Sequence, residues 1–205
     1  MTVPDQELNY SLCEFVGAII GNGNLWTDDS RFRVELTGDP KFDGEYFNYL
    51  SNISNDLFSK RPYPLRVHGR GLRWRLQSKK AFIVLQTLGI PVGQGKSYKV
   101  TIPDLILRMG WAFSRWTLRG IMDTDGTVFF SKKTYRYPIY PTLEIRTCSE
   151  ALAKQINEML NQNSFRARLR GNKQEGYHVA LYGNRMLDLW IKEIGFSNSK
   201  HLNKI

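Results

Sequence analysis

Cysteine is almost missing from this chain. Cys13 and Cys148 are the only two, and they show neither a CxxC pair nor any zinc-ligand spacing. That pattern excludes a disulfide scaffold and suits two core thiols in a reducing compartment. His68, His178 and His201 also lack metal-ligand spacing, which argues against a zinc enzyme. No apolar run approaches the roughly 20 residues that cross a bilayer, and the polar start Met1–Asn9 does not read as a signal peptide. The expected setting is therefore intracellular, either cytoplasmic or organellar and nucleoid-associated, with no membrane partner. Acidic residues are scarce as well: 19 Asp and Glu stand against 29 Lys and Arg, a net charge of +10. Such a surplus attracts polyanions, nucleic acid ahead of an anionic lipid surface.

What is present is a folded composition, 41% apolar and 13% aromatic over 205 residues, and a sequence that repeats itself. Residues 15–23 read Phe-Val-Gly-Ala-Ile-Ile-Gly-Asn-Gly, and residues 118–126 read Leu-Arg-Gly-Ile-Met-Asp-Thr-Asp-Gly. The first is followed by Gly71-Leu72-Arg73-Trp74-Arg75-Leu76 and a helix-like run to Leu88-Gly89-Ile90, the second by Gly176-Tyr177-His178-Val179-Ala180-Leu181 and a run to Ile194-Gly195-Phe196. Gly17 to Gly89 spans 72 residues (89 − 17) and Gly120 to Gly195 spans 75 (195 − 120). Two unequal copies of one unit therefore account for most of the chain. The link between them falls near Thr101–Arg115, punctuated by Pro103 and Gly110.

Leu12, Phe15, Val16, Ile19 and Ile20 recur at helical spacing, as do Trp111, Phe113, Trp116, Leu118, Ile121 and Met122. Each helix is expected to end at Gly23 or Gly126 as a left-handed cap. Gly17 and Gly21 lie four apart on one face, a spacing that permits two helices to touch backbone to backbone. Taken singly, either glycine-rich end could be an ordinary turn; as a pair they point to packed helices. Asp125 faces the negative end of its helix dipole, an unfavourable placement by roughly 0.3–1 kcal/mol, so a cation is expected beside it. Asp123, two residues earlier, reads as structural.

Between the helices run alternating stretches: residues 31–37, 65–68, 72–77, 143–146 and 165–170. Their polar face collects Arg31, Arg33, Arg66, Arg73, Arg75, Arg146, Arg166, Arg168 and Arg170 against only Glu35 and Glu144. A solvated sheet face would carry charges in roughly the chain's own ratio. Arginine's planar fork suits phosphates and guanine edges in a major groove, which a β-ribbon can enter. Helices over 39–59, 81–88, 149–160 and 184–194 are expected to cover the apolar face.

The nonapeptide at 118–126 resembles the LAGLIDADG motif of homing endonucleases at almost every position, and that at 15–23 is a looser version. The order helix, two strands, helix, two strands, helix resembles that family's αββαββα half. The resemblance implies an α/β (α+β) fold of two pseudo-symmetric halves, 1–105 and 106–205, each with an antiparallel sheet. The sheets would form a DNA-binding saddle, and the halves would pack through the two motif helices. It implies a monomer that reads a long asymmetric duplex site and hydrolyses phosphodiesters with Mg²⁺, with Mn²⁺ able to substitute. Asp125 and Asn22 would be the catalytic and metal-binding pair, with Gly21 and Thr124 beside them, and Lys96 and Lys200 would supply the basic residue near each metal. His68, Gln77, Lys132, Lys133 and His178 would join the arginines, Glu35 and Glu144 in contacting DNA. Asn22 departs from the family's acidic residue: an amide oxygen can coordinate a hard cation but adds no charge. A weakened nuclease, an enzyme that nicks one strand, and a binder of DNA or intron RNA that has lost cleavage all fit that departure.

Overall fold

A computed structural model of the chain describes residues 8–28, 30–132 and 139–205. The first unit comprises α1 (Tyr10–Asn22), β1 (Gly23–Thr27), β2 (Phe32–Gly38), α2 (Gly44–Phe58), β3 (Arg66–His68), β4 (Gly71–Gln77) and α3 (Lys79–Thr87). Two short helices follow, α4 (Lys96–Lys99) and α5 (Asp104–Arg108). The second unit comprises α6 (Trp111–Asp125), β5 (Gly126–Ser131), β6 (Tyr140–Thr147), α7 (Glu150–Gln162), β7 (Arg168–Asn172), β8 (Gly176–Tyr182) and α8 (Asn184–Glu193), with α9 (Ser199–Leu202) after it. The αββαββα order is thus realised twice. The sheets share one antiparallel topology, β1-β2-β4-β3 and β5-β6-β8-β7.

α1 and α6 pack against each other at the centre. Gly17 lies so close to Thr117 that an added methyl would run into its carbonyl, and Gly120 meets the backbone of Glu14 and Ala18 in the same way. Gly21 rests on the Thr124 side chain. Small residues are required here because only backbone fits between the axes. On either side, the apolar face of each sheet is covered by its own helices. Trp74 and Trp190 are fully buried, and their indole N–H groups donate to Ser51 Oγ at 2.9 Å and Gly195 O at 3.0 Å. Burying such a side chain stabilises by roughly 1.5–3 kcal/mol, provided its polar atom keeps a partner.

Several local expectations are corrected. Gly23 and Gly126 are not left-handed caps: both are extended, with φ −93° and −89°, and begin β1 and β5 directly. Glycine is needed there because a Cβ would collide with the backbone of Ile19 or Met122. The helix expected from 39 begins at Gly44, since Asp39–Asp43 forms a turn in which the Asp43 carboxylate accepts from the Asp39 amide at 2.7 Å. The expected link at 101–115 holds α5 and the first turn of α6. β3 is a short edge strand, and Val67, expected to face the core, is exposed. Cys13 is buried, and burial pushes its thiol up to about 12, whereas Cys148 is exposed rather than in the core.

Candidate functional site

Because Gly23 and Gly126 turn straight into strands, Asn22 and Asp125 end the two central helices where the open faces of the sheets begin. Asn22 is exposed and Asp125 half-buried. The Asn22 amide donates across the helix pair to Thr124 O at 3.2 Å, a bond that an aspartate could not make. Burial raises the Asp125 carboxyl to about 6, with Lys96 and Lys200 pulling the other way, so it is largely ionised at neutral pH.

The helix ends are held by side chains far away in sequence. Lys96 is buried, and its ammonium donates to Ile19 O and Ile20 O at 2.7 Å and to Gly21 O at 3.0 Å. Those three bonds use all three of its donors. Burial lowers it to about 8, against the pull of Asp125. At the corresponding end of α6 the work is divided. His201 Nε2 donates to Met122 O at 3.0 Å, Asn198 Nδ2 to Asp123 O at 3.0 Å and Lys200 Nζ to Thr124 O at 3.4 Å. His201 is kept neutral: burial first, then Lys200, lowers it to about 3. Lys200 also pairs with Asp43 at 3.0 Å. As placed, Lys96 has no donor left for a phosphate or a water, so the structure makes it a helix cap. Lys96→Met is expected to cost about 2–4 kcal/mol, because three carbonyls lose their donors at once. A urea midpoint corresponding to a loss below about 0.5 kcal/mol would contradict that account.

A hard divalent cation fits part of the expected ligand set. Asp125 offers a carboxylate, Asn22 an amide oxygen, and Gly21 O keeps one lone pair beyond its bond from Lys96. Thr124 O, which the resemblance placed in that set, already accepts from both Asn22 and Lys200, so its two lone pairs are used. Among the described residues no group of three or more His, Cys, Asp or Glu could hold a metal. The donors present are hard oxygens with a single negative charge, a set suited to Mg²⁺ or Mn²⁺ that keeps waters or phosphate oxygens as its other ligands. Asp123 lies away from this group, fully buried, and accepts from the Ser197 amide at 2.7 Å. Burial raises it to about 8.

Cross-strand register arranges the open faces in rows. In the first sheet Thr37 pairs with Arg73 and Arg73 with Arg66; next come Glu35 with Arg75, then Trp26 with Arg33 and Arg33 with Gln77. Arg31, Arg33, Arg66, His68, Arg73, Arg75 and Gln77 line one cleft of about 410 Å³. Glu35 is tied to Arg75 at 2.5 Å, Arg31 to Asp28 at 2.9 Å, and the Arg33 guanidinium lies 4.3 Å from the Trp26 ring. In the second sheet Arg166, Arg168 and Arg170 line a cleft of about 790 Å³ with Phe129 and Tyr182. Glu144 is nearly buried; although burial opposes ionisation, His178 at 3.0 Å and Arg170 at 2.7 Å hold it below the usual carboxylate range. Lys132 is exposed past the end of β5, and Lys133 lies outside the described residues.

Arg146 differs from the other eight arginines. It lines a cavity of about 310 Å³ with Gly21 and Asp125, at the centre of the molecule. Sequence reading also missed Asp43, Asn198 and the capping role of His201. The signal for the last two was available in outline, since Asn198 and His201 flank Lys200 in the second copy.

Comparisons with known proteins agree with this architecture. The model of the LAGLIDADG-like domain family matches residues 112–195. A replication factor C small subunit of Thermococcus kodakarensis is 26% identical over 198 residues, and one of Methanocaldococcus jannaschii is 26% identical over 209. Those matches take in 94% and 98% of this chain but only 20% and 10% of the two relatives, so the chain spans a small part of their length. Among solved structures, I-DmoI in complex with DNA and Mn aligns at TM-score 0.64 and 16% identity, over 93% of this chain and 99% of that one. The homing endonuclease I-WcaI bound to its DNA recognition sequence aligns at TM-score 0.64 and 16% identity, over 97% and 87%. Full-length DUF199/WhiA from Thermatoga maritima aligns at TM-score 0.63 and 16% identity, over 97% and 60%. The LAGLIDADG-like domain model thus matches the second unit of this chain, and the paired-helix fold of these solved structures runs along nearly all of its length.

Proposed function

We propose that this chain is a site-specific DNA endonuclease that lays duplex DNA across its two sheets, works as a monomer and cuts mainly one strand. The observation that carries the reading is asymmetry at the helix ends, with an ionised Asp125 on α6 and a neutral Asn22 on α1. Asp125, Asn22 Oδ1 and Gly21 O would hold Mg²⁺, with Mn²⁺ able to replace it; such an ion, when bound, lowers the pKa of water and offsets charge on the departing oxygen. The residues of the chain do the rest. The arginine rows grip the phosphates on either side, and the Lys96 and Lys200 caps keep the two helix ends in place beside the bond to be cut. Two unequal halves suit an asymmetric target, because a palindrome would call for a symmetric dimer. The bond from Asn22 to Thr124 O favours a second reading, a DNA- or RNA-binding protein that no longer cuts, since it turns a ligand position into a structural tie.

Binding separates this proposal from a merely basic protein. For a duplex selected from a random pool, the plot of log K against log salt should be steeper than about −4, at about −0.9 per phosphate contacted. A slope of about −1 to −2, one or two phosphates, would rule out a saddle of arginines. Arg→Ala at 73, 75, 166 or 168 should weaken binding, and the positions that also relax base choice are those that touch bases.

A further inference from the structure

The row nearest the centre differs between the two sheets in a way that the loss of one carboxylate does not explain. Gly126 pairs with Ile145 and Gly23 with Leu36. Continuing each register by one residue sets Asp125 opposite Arg146 in the second half and Asn22 opposite Thr37 in the first. The carboxylate therefore shares its row and its cavity with an arginine, whereas the amide shares its row with a threonine. Arg146 and Asp125 line the same cavity of about 310 Å³, with Gly21, Ser97, Glu175 and Tyr177 also on its wall.

Among the described residues no carboxylate pairs with Arg146. Glu144, two residues away on the same face of β6, is occupied by Arg170 and His178. The charges acting on Asp125 are those of Lys96 and Lys200. A free guanidinium and a free carboxylate thus share one cavity without neutralising each other. A phosphodiester satisfies such a pair: its oxygens take the guanidinium's fork on one side and share a hard cation with the carboxylate on the other.

We infer that Arg146 holds one phosphodiester of one DNA strand beside Asp125, in a site that the first half does not possess. This rests on the reading that duplex DNA lies across the sheets. It goes beyond that reading by assigning the gripped strand to the second half and by naming the residue that grips it.

The test needs no cleavage. A duplex selected for tight binding is made with a single neutral methylphosphonate, moved one phosphate at a time through the central base pairs of each strand. Affinities are measured without divalent cation for the parent protein, Arg146→Ala, Arg146→Lys and Thr37→Ala. At one phosphate of one strand the parent should lose about tenfold, the worth of one charge-assisted bond. Arg146→Ala should bind the unmodified duplex about tenfold more weakly and lose less than about twofold to that same methylphosphonate. Arg146→Lys should retain part of the penalty, and Thr37→Ala should behave as the parent. Tight, salt-dependent binding with no phosphate whose penalty Arg146→Ala abolishes would overturn the Arg146 site and leave the DNA reading standing. Failure to select any bound duplex would overturn both.

Discussion

Asp125→Asn is expected to lower strand cleavage at least a thousandfold, about 4 kcal/mol of barrier, while duplex affinity stays within about threefold of the parent. The substitution removes the one anionic oxygen pair at the paired helix ends and leaves the arginine rows untouched. It is nearly isosteric, so the helix contact should survive. Asn22→Asp should act in the opposite sense. It gives up the bond to Thr124 O, at a cost of about 1 kcal/mol in stability, and places a second carboxylate beside the first. With a supercoiled plasmid carrying a selected site, the parent should give mostly nicked circles, and Asn22→Asp should raise the linear product. The parent reaction should require high Mg²⁺ or improve with Mn²⁺. If Asp125→Asn loses nothing and Asn22→Asp gains nothing, the binding-only reading replaces the nuclease.

The second large effect is on folding. Glycine to alanine at an exposed mid-helix position stabilises by about 0.8–1 kcal/mol through helix propensity. Gly17→Ala and Gly120→Ala should do the reverse and destabilise by about 1–3 kcal/mol, because the added carbon would meet the backbone of the facing helix. Gly17→Leu should leave no cooperative unfolding transition at all. Urea titrations of the three variants settle the matter by sign: an alanine variant more stable than the parent would mean that the two helix backbones are not in contact. The central contact is also expected to be more sensitive than the surrounding core, since backbone cannot repack as side chains do.

Much of this architecture was legible along the chain because its causes are local. Helical spacing in Leu12–Ile20 and Trp111–Met122, and two-residue alternation in Leu72–Gln77, report which face of each element is apolar. Repetition of the whole order then implied two like halves. The Gly17–Gly21 spacing was readable as a close helix contact for the same reason: a missing side chain is a property of the residue itself. Asp125 stood out because a carboxylate at a helix C-terminus is electrostatically unfavourable wherever the helix lies.

Other features depended on approach between segments that no local pattern records. Gly23 and Gly126 are glycine because backbone passes close to Ile19 and Met122, not because their φ is positive, and sequence cannot distinguish those two demands. Lys96 meets α1 from 75 to 77 positions away, and Asn198, Lys200 and His201 reach α6 from the end of the second unit. Whether such a lysine is a cap or a phosphate ligand is decided by which carbonyls the fold brings to it. Arg146 is the sharpest case. Along the chain it is one of nine outward arginines, equivalent to the rest by alternation. Only cross-strand register, which a shift of one residue would have reversed, sets it opposite Asp125.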